Sequence, residues 1–553
     1  MHPTAEIRDA AASALGVFTG RYMAEVKEAY VTRVTDRLVE LLGGANPAAR
    51  RGAAAGLAAL PTVLLRPRAP AVIEALARLA SELEDDPEER DAESRKSAVR
   101  ALTAICSKES GASLPEDPEA SISLVLGTAL PALVAAAGDY STDKRGDVGS
   151  WVRESAIEGF APVLDRAAAL LATGGPAGAV AAQAALAWTG DDDAWGALDT
   201  AASTTGSTAA PLGRAVGRAA ACLLRQAADR IGKLRAIARR HLVAMTTDGG
   251  AQRWGAPEPA VHALTCVLAA PTHPDETTPV HALAELLPNP ALGDACCLAI
   301  LEGLVATAGG LDNALADEAL NALVASSKRT PGARNTLATL LVRCWKTHAR
   351  SPRLATPLLR ATNALLERAE LADAAALPDG DGQPVGLAIL GLIRGEVHAC
   401  RDVGRLVVSV GCFAHLAAAP GASATSEKTR GEVRRGALSA LLLLLGSPFP
   451  VVRSAVAERL YVATLGWDAD ELASEGFPAT LDDDAVEELQ ETLVSTPWGV
   501  DLMSARAARS PLYPALGIAP PATKAKAVVK GPAADENSSY AALVEDAARG
   551  LGG

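Results

Sequence analysis

Aromatic side chains are scarce. Only 3% of the 553 residues are Phe, Trp or Tyr, although 49% are hydrophobic. Alanine and leucine supply most of the apolar content. Runs of Val, Ile, Tyr and Phe are therefore rare, which disfavours sheets. Ala and Leu instead lead the helix-propensity order, and small side chains let helices pack closely. Basic residues are also in short supply, 52 against 65 acids, for a formal net charge of −13. No basic stripe runs along the chain, so nucleic-acid binding is not expected. The eight cysteines are Cys106, Cys222, Cys266, Cys296, Cys297, Cys344, Cys400 and Cys412, with no Cys-x-x-Cys pair. Scattered in this way they read as reduced thiols in helix cores, which points to the cytosol and away from a metal site. The longest apolar run, "ALSALLLLLG" at Ala437 to Gly446, is too short to cross a bilayer. A soluble chain without a membrane span is expected.

The usual signatures of chemistry are missing as well. There is no GxxxxGK[ST], no HExxH and no GxSxG, and Gly232-Lys233 lies in a helix-like run without a leading glycine. "TGGPAG" at Thr173 to Gly178 reads as an inter-helix turn. The carboxylate runs Asp191 to Asp193 and Asp482 to Asp484 suit loop solvation or a helix start better than a metal. His241, His262 and His348 fall in helical runs, where packing or solvation is the common role. No self-contained catalytic site, cofactor or enzyme activity is expected.

What the chain does have is a recurring pattern. A small or branched residue is followed by Arg, then Ala or Val four positions on, then Leu or Phe eight positions on. It reads Ile7-Arg8, Ala11, Leu15; Ala49-Arg50, Ala53, Leu57; Ser94-Arg95, Ala98, Leu102; and Val152-Arg153, Ala156, Phe160. Later copies are Leu234-Arg235, Ala238, Leu242; Val433-Arg434, Ala437, Leu441; and Val452-Arg453, Val456, Leu460. That spacing keeps the apolar residues on one helix stripe. Turn signals such as "GGANP" and "GSPFP" separate the copies. One buried stripe per helix, repeated with short breaks, predicts an all-α, HEAT/armadillo-like α-solenoid of antiparallel helix pairs. The length exceeds one ordinary core, and dividing it by a unit of about 40–47 residues gives roughly twelve pairs.

In HEAT-type units an acid six positions before the arginine helps to form a ladder between neighbours. Asp147 with Arg153 and Asp229 with Arg235 have that separation, and Glu89 with Arg95 is a variant; Arg434 and Arg453 belong to the same repeat pattern. Asp147 also suits a helix cap. Gly138 to Phe160, "GDYSTDKRGDVGSWVRESAIEGF", is the densest stretch. Gly146 and Gly149 loosen its backbone, and Asp143, Lys144, Arg145 and Trp151 are candidate partner contacts, since charge beside an aromatic makes a contact site. The alternative is that Trp151 plugs the joint to the preceding helix pair. Arg239-Arg240 is a second candidate basic spot.

Breaks in the pattern read as loops: Ser81 to Glu93, Thr189 to Pro211 (with Trp195 as a docked turn), Leu377 to Gly386 and Ala419 to Gly431. Residues 1–520 are expected to form the array. Residues 521–553 are expected to be a disordered tail with a short terminal helix at "YAALVEDAARGL".

"DKRGDVGSWVRESA" at Asp143 to Ala156 closely resembles the RGDVG-x-WVR segment of tubulin-folding cofactor D, a large HEAT-repeat tubulin chaperone family. "ACLLRQAADRIGKLRAIA", "WGAPEPAV", "EGLVATAGGL", "GEVRRGALSALLLLL" with "FPVVRSAVAERLYVATL", and "LVSTPWG" are similar to further family elements, in the family's order. The resemblance covers most of Ile7 to about Pro520 and corresponds to the C-terminal half of a longer family member. It implies a scaffold that binds β-tubulin and assembles with cofactors C and E and α-tubulin. Within that complex it would promote GTP hydrolysis by tubulin. It also implies an Arf-like small GTPase as a partner, and a cytoplasmic, microtubule-associated location. The competing expectation, from periodicity alone, is a generic HEAT-repeat scaffold such as a transport receptor or adaptor.

Overall fold

A computed structural model describes residues 2, 4–23, 28–81, 91–108, 113–187, 209–247, 254–269, 279–310, 313–330, 332–368, 370–371, 382–418 and 427–521. Some of its helices start where side chains take over the unpaired first-turn amides. Asn46 accepts from Ala48 and Ala49 ahead of the helix Pro47–Ala59, and Asp117 accepts from Glu119 and Ala120 ahead of Pro118–Leu124. In both, proline fills the first helical position, where no amide is needed. Asp482 caps Asp483–Ser495 through the Ala485 amide, so that acidic run includes a helix start.

The helices form two rows. Ala5–Tyr22, Pro47–Ala59, Ala92–Ser107, Gly149–Ala185 and Ala209–Ala227 each pack on the next. Gly293–Ala308, Ala355–Glu367, Val403–Ala418, Pro450–Thr464 and Asp483–Ser495 continue that row. The second row runs through Glu28–Leu42, Ala69–Ser81 and Leu130–Ala136, and later through Ala333–Thr347, Val385–Val397, Glu427–Leu445 and Leu502–Arg509. The result is an all-α, HEAT/armadillo-like solenoid of antiparallel helix pairs. A single apolar core follows the array from Leu42 to Ile518. Later helices hide their stripes on their neighbours, at about 1.5–3 kcal/mol per fully buried large aliphatic side chain, whereas Ala5–Tyr22 leaves Ile7, Val17, Phe18 and Tyr22 exposed.

The few tryptophans serve as joints. Trp254 and Trp345 are fully buried, and their indole N–H groups donate to Asp165 and Thr362, both at 3.0 Å. Trp467 reaches back to the Ala417 carbonyl at 3.3 Å. Each places a large apolar body between units and satisfies its one donor.

Several expectations need correcting. The inter-helix turn at "TGGPAG" is not among them: within Gly149–Ala185 two helical segments meet at a kink at Gly175, with φ 55° and ψ −151°. Gly232-Lys233 opens the helix Gly232–Thr246 rather than lying inside one. The expected loop to Gly431 is shorter, because Glu427–Gly431 already belongs to a helix. Among the described residues two 19-residue helical stretches, Pro118–Ala136 and Pro290–Ala308, have a mean hydropathy of 1.6 and the length to cross a membrane. No single apolar run revealed them, because Gly, Ser and Thr interrupt the sequence. Here 56% and 67% of their most apolar windows is buried within the protein, as core helices require. Glu89, Asp191 to Asp193, Trp195, most of Ser81 to Glu93 and Thr189 to Pro211, Leu377 to Asp381, Ala419 to Ser426 and the expected tail 522–553 lie outside the described residues.

Close helix approach depends on small residues. A Cβ on Gly303 would stand 2.6 Å from the Arg225 carbonyl oxygen and 2.7 Å from the Ala228 Cβ. Gly303→Leu is expected to cost about 1–3 kcal/mol by overpacking. Amide-exchange protection should fall in Ala209–Ala227 and Gly293–Ala308 while Pro450–Thr464 is unchanged, because repeats couple mainly to their neighbours. A uniform loss along the chain would contradict this.

Candidate functional site

The densest sequence stretch folds as a small β-hairpin leading into a helix. Thr142 pairs with Asp147 and Asp143 with Gly146, antiparallel. The sequence reading gave only a loop here. Asp143 accepts from the Arg145 amide at 2.7 Å and so closes the turn, and Gly146 takes φ 104°, which glycine adopts without strain. Gly149 has a different role from the loosening expected of it. A Cβ there would lie 2.4 Å from the Asp139 carbonyl oxygen, so glycine lets the helix start press against the preceding turn.

Asp143, Lys144, Arg145 and Trp151 come together at one exposed corner. The Arg145 guanidinium stacks 4.9 Å from the half-buried Trp151 ring, pairs with Asp143 at 2.7 Å, and reaches Glu93 of the preceding repeat at 3.0 Å. The hydrogen bond from Arg145 holds the Asp143 carboxyl below its ordinary range, and the same bond raises the Arg145 pKa. Lys144 stands exposed at the turn. Trp151 packs one side on the core, so the joint and contact readings describe different parts of the same residue.

Beneath the corner lies a buried polar junction. Arg153 is fully buried and donates to Asp147 through two 3.1 Å bonds, to the Asp139 carbonyl at 2.6 Å and to Gln226 at 3.1 Å. It also meets Asp229 at 3.6 Å. The carboxylate of Asp229 thus turns to the preceding repeat, and Arg235 donates to the Asp229 carbonyl at 2.9 Å. Asp147 further contributes to the helix start by accepting from the Ser150 amide at 3.1 Å. One repeat earlier, Arg95 pairs with Asp139 at 2.8 Å and donates to Ser141 at 2.8 Å. Near the other end, Arg434 lies 3.4 Å from Glu471 and 3.2 Å from Glu475, whereas Arg453 donates to the Trp498 and Ser447 carbonyls.

Sequence reasoning missed the rest of this junction. Tyr140 accepts from Gln226 at 3.0 Å, and two guanidiniums stack on its ring, Arg153 at 4.1 Å and Arg353 at 3.5 Å. Burial lowers the Arg353 pKa. Nothing local in sequence could connect residues 140 and 353, because only the winding of the array brings them together. Next to them Glu302 accepts from Arg225 at 3.3 Å and contacts His348 at 2.7 Å. Burial alone would raise the Glu302 pKa, but the His348 bond and the Arg225 charge outweigh it and hold the carboxyl below its ordinary value.

These arrangements fix charges in place and supply no activated nucleophile. Burial pushes the Cys106 and Cys297 thiols up to about 12, far from the thiolate form. Among the described residues no group of three or more His, Cys, Asp and Glu side chains converges on a metal-sized site. The second basic spot also shrinks: Arg239 is buried and donates to the Leu268 carbonyl at 3.0 Å, which leaves Arg240 exposed.

Residues 217–405 match the family model described as tubulin folding cofactor D C terminal. The chain is also similar to known structures. One is an engineered protein, at 16% identity over 88% of this chain and 99% of that chain, with a TM-score of 0.23. A second comes from work on a phosphorylation switch between cadherin and beta-catenin, at 13% identity, 93% and 97% coverage and TM-score 0.28. The third is a homology model of the full-length AP-3 complex, at 10% identity, 89% and 99% coverage and TM-score 0.24. Likeness this loose carries no argument about function.

The Glu302 contacts imply a pH dependence. Its folded carboxyl titrates below the ordinary value of 4.5, so its contribution to stability is complete above that value. The contribution is lost as pH falls through the folded pKa. Thermal melts of Glu302→Gln should therefore show a shallower loss of stability below about pH 4.5 than the parent chain. Superimposable acid limbs would contradict the assignment.

Proposed function

We propose, from the premise that residues 217–405 are a tubulin folding cofactor D C-terminal region, that this chain is a tubulin-folding chaperone scaffold. It binds β-tubulin and assembles with cofactors C and E during formation of the α/β heterodimer. It contributes to GTP hydrolysis by tubulin by positioning components of that complex, without a catalytic site of its own. An Arf-like small GTPase is a further partner, and the chain works in the cytoplasm in association with microtubules.

The family match carries this reading. It is supported by the architecture, since stacked helix pairs offer long surfaces to a folded client. The charged corner around Trp151 supports it too. Lys144 stands exposed at its turn, while Asp143 and Glu93 hold the Arg145 guanidinium in place against Trp151. Tubulin, like this chain, is acidic, so local patches rather than net charge must govern the encounter; screening over roughly 8–10 Å enforces this.

The test is capture of purified tubulin, with and without cofactors C and E, by the full chain. Capture is expected. The paired substitution Lys144→Glu and Arg145→Glu should weaken it about tenfold or more, with melting unchanged. Absence of tubulin capture would leave a generic HEAT-repeat scaffold. Capture unaffected by the paired substitution would remove the hairpin corner from the interface.

A further inference from the structure

We propose that a groove near the C-terminal end of the array binds an acidic peptide segment of a partner protein through one large apolar anchor. The groove has a volume of ≈ 870 Å³ and lies among the helices Val385–Val397, Val403–Ala418 and Glu427–Leu445. Its apolar walls include Leu406, Phe413, Leu443, Leu444 and Phe449. Leu443 remains 51% exposed, and Val451, 62% exposed, lies just past the end of the groove in sequence. A pocket of this size accepts a leucine- or phenylalanine-sized side chain with room to spare.

The charge is one-sided. Arg350, Arg394, Arg401 and His398 line the groove and are exposed, and no Asp or Glu is among the lining residues. None of these three guanidiniums has an ion pair among the described residues. On an array that is acidic overall, an apolar cleft edged by uncommitted arginines selects carboxylates next to an apolar group. The partner chemistry that fits is an acidic linear peptide with a buried aliphatic or aromatic residue.

The backbone provides a second, independent observation. Among the described residues only two non-glycine positions have positive φ, Arg350 and Ala399, both at 59°. Both line this groove. Left-handed backbone is unfavourable for such residues and persists where the surroundings hold it. Glu396 does so here. It is buried, accepts from the Arg350 amide and meets Arg405 at 3.5 Å, so it holds the turn that sets out Arg350. Both positions follow helix ends, and together they hold Arg350 and the segment leading to Arg401 at the rim of one cleft. The client proposed above plays no part in these observations.

The test uses the full chain and synthetic fluorescent peptides read by anisotropy. One peptide carries a central Phe flanked by Glu; others replace Phe with Ser or every Glu with Gln or Lys. The Phe–Glu peptide should bind, with loss of about tenfold or more on removal of the anchor or of the negative charge, and progressive weakening with salt. Arg394→Glu, Arg401→Glu and Leu443→Asp lie on exposed positions and should each weaken binding by a similar factor, with helicity and melting unchanged. No binding by the parent chain, equal binding of the Lys peptide, or full affinity in all three variants would overturn the proposal. Binding that appears only after residues 522–553 are removed would assign the groove to the chain's own tail and overturn the partner reading. Peptide binding without tubulin capture would leave the groove assignment standing while the chaperone reading fell.

Discussion

Arginine cannot shed its charge, so a guanidinium placed inside a protein must find acceptors there or destabilise the fold. Arg95, Arg153, Arg434 and Arg453 are among the largest fully buried side chains in this molecule. For the first three, acids brought by a neighbouring unit supply acceptors: Asp139 for Arg95, Asp229 for Arg153, and Glu471 with Glu475 for Arg434. Arg453 depends on carbonyls instead. The apolar stripes alone tolerate some change of partner surface, since hydrophobic cores lose uniqueness before they lose stability. The buried arginines do not, because a shift of one turn would strand a charge. They fix which unit sits on which and at what register, and the helix rows, the hairpin corner and the polar junction all follow from that alignment.

Much of the architecture was legible in one dimension. The Arg, Ala, Leu spacing identified helices that bury one stripe, and four of the arginines at the head of the pattern, Arg95, Arg153, Arg434 and Arg453, are deeply buried, whereas Arg8, Arg50 and Arg235 stay half-buried. The ladder was only half legible. An acid six positions upstream of arginine is a local feature, and Asp147 with Arg153 realises it. The acids that cross between units, Asp139 and Glu475, lie 44 and 41 positions after their arginines, and no local rule picks them out. The same reasoning explains Arg239. Read as a surface cation from its charge, it is buried because the helix Gly232–Thr246 turns it toward the Leu268 carbonyl. Tyr140 and Arg353, and the groove between Arg350 and Arg401, depend on how the array winds, which no short-range pattern encodes.

For function, this construction separates what holds the array together from what it displays. The ion pairs inside the junction are buried, so they act on the alignment of the units and are not offered to a partner. The exposed corner at Lys144 and Arg145 and the arginine-edged groove lie at different positions along the array. A folded client and a linear peptide could occupy them together. Because neighbouring units couple far more strongly than distant ones, each surface can adapt without disturbing the other.

The central claim is that a buried arginine aligns its neighbours, and Arg153→Met tests it most directly by amide hydrogen exchange. The account predicts that protection falls by about a hundredfold or more in the hairpin around Asp139 to Gly149 and in the turn around Asp229, since removing one partner of a buried ion pair costs roughly 3–5 kcal/mol. The helix Asp483–Ser495, remote from the junction, should keep its protection. Unchanged exchange at both the hairpin and the Asp229 turn would contradict the account.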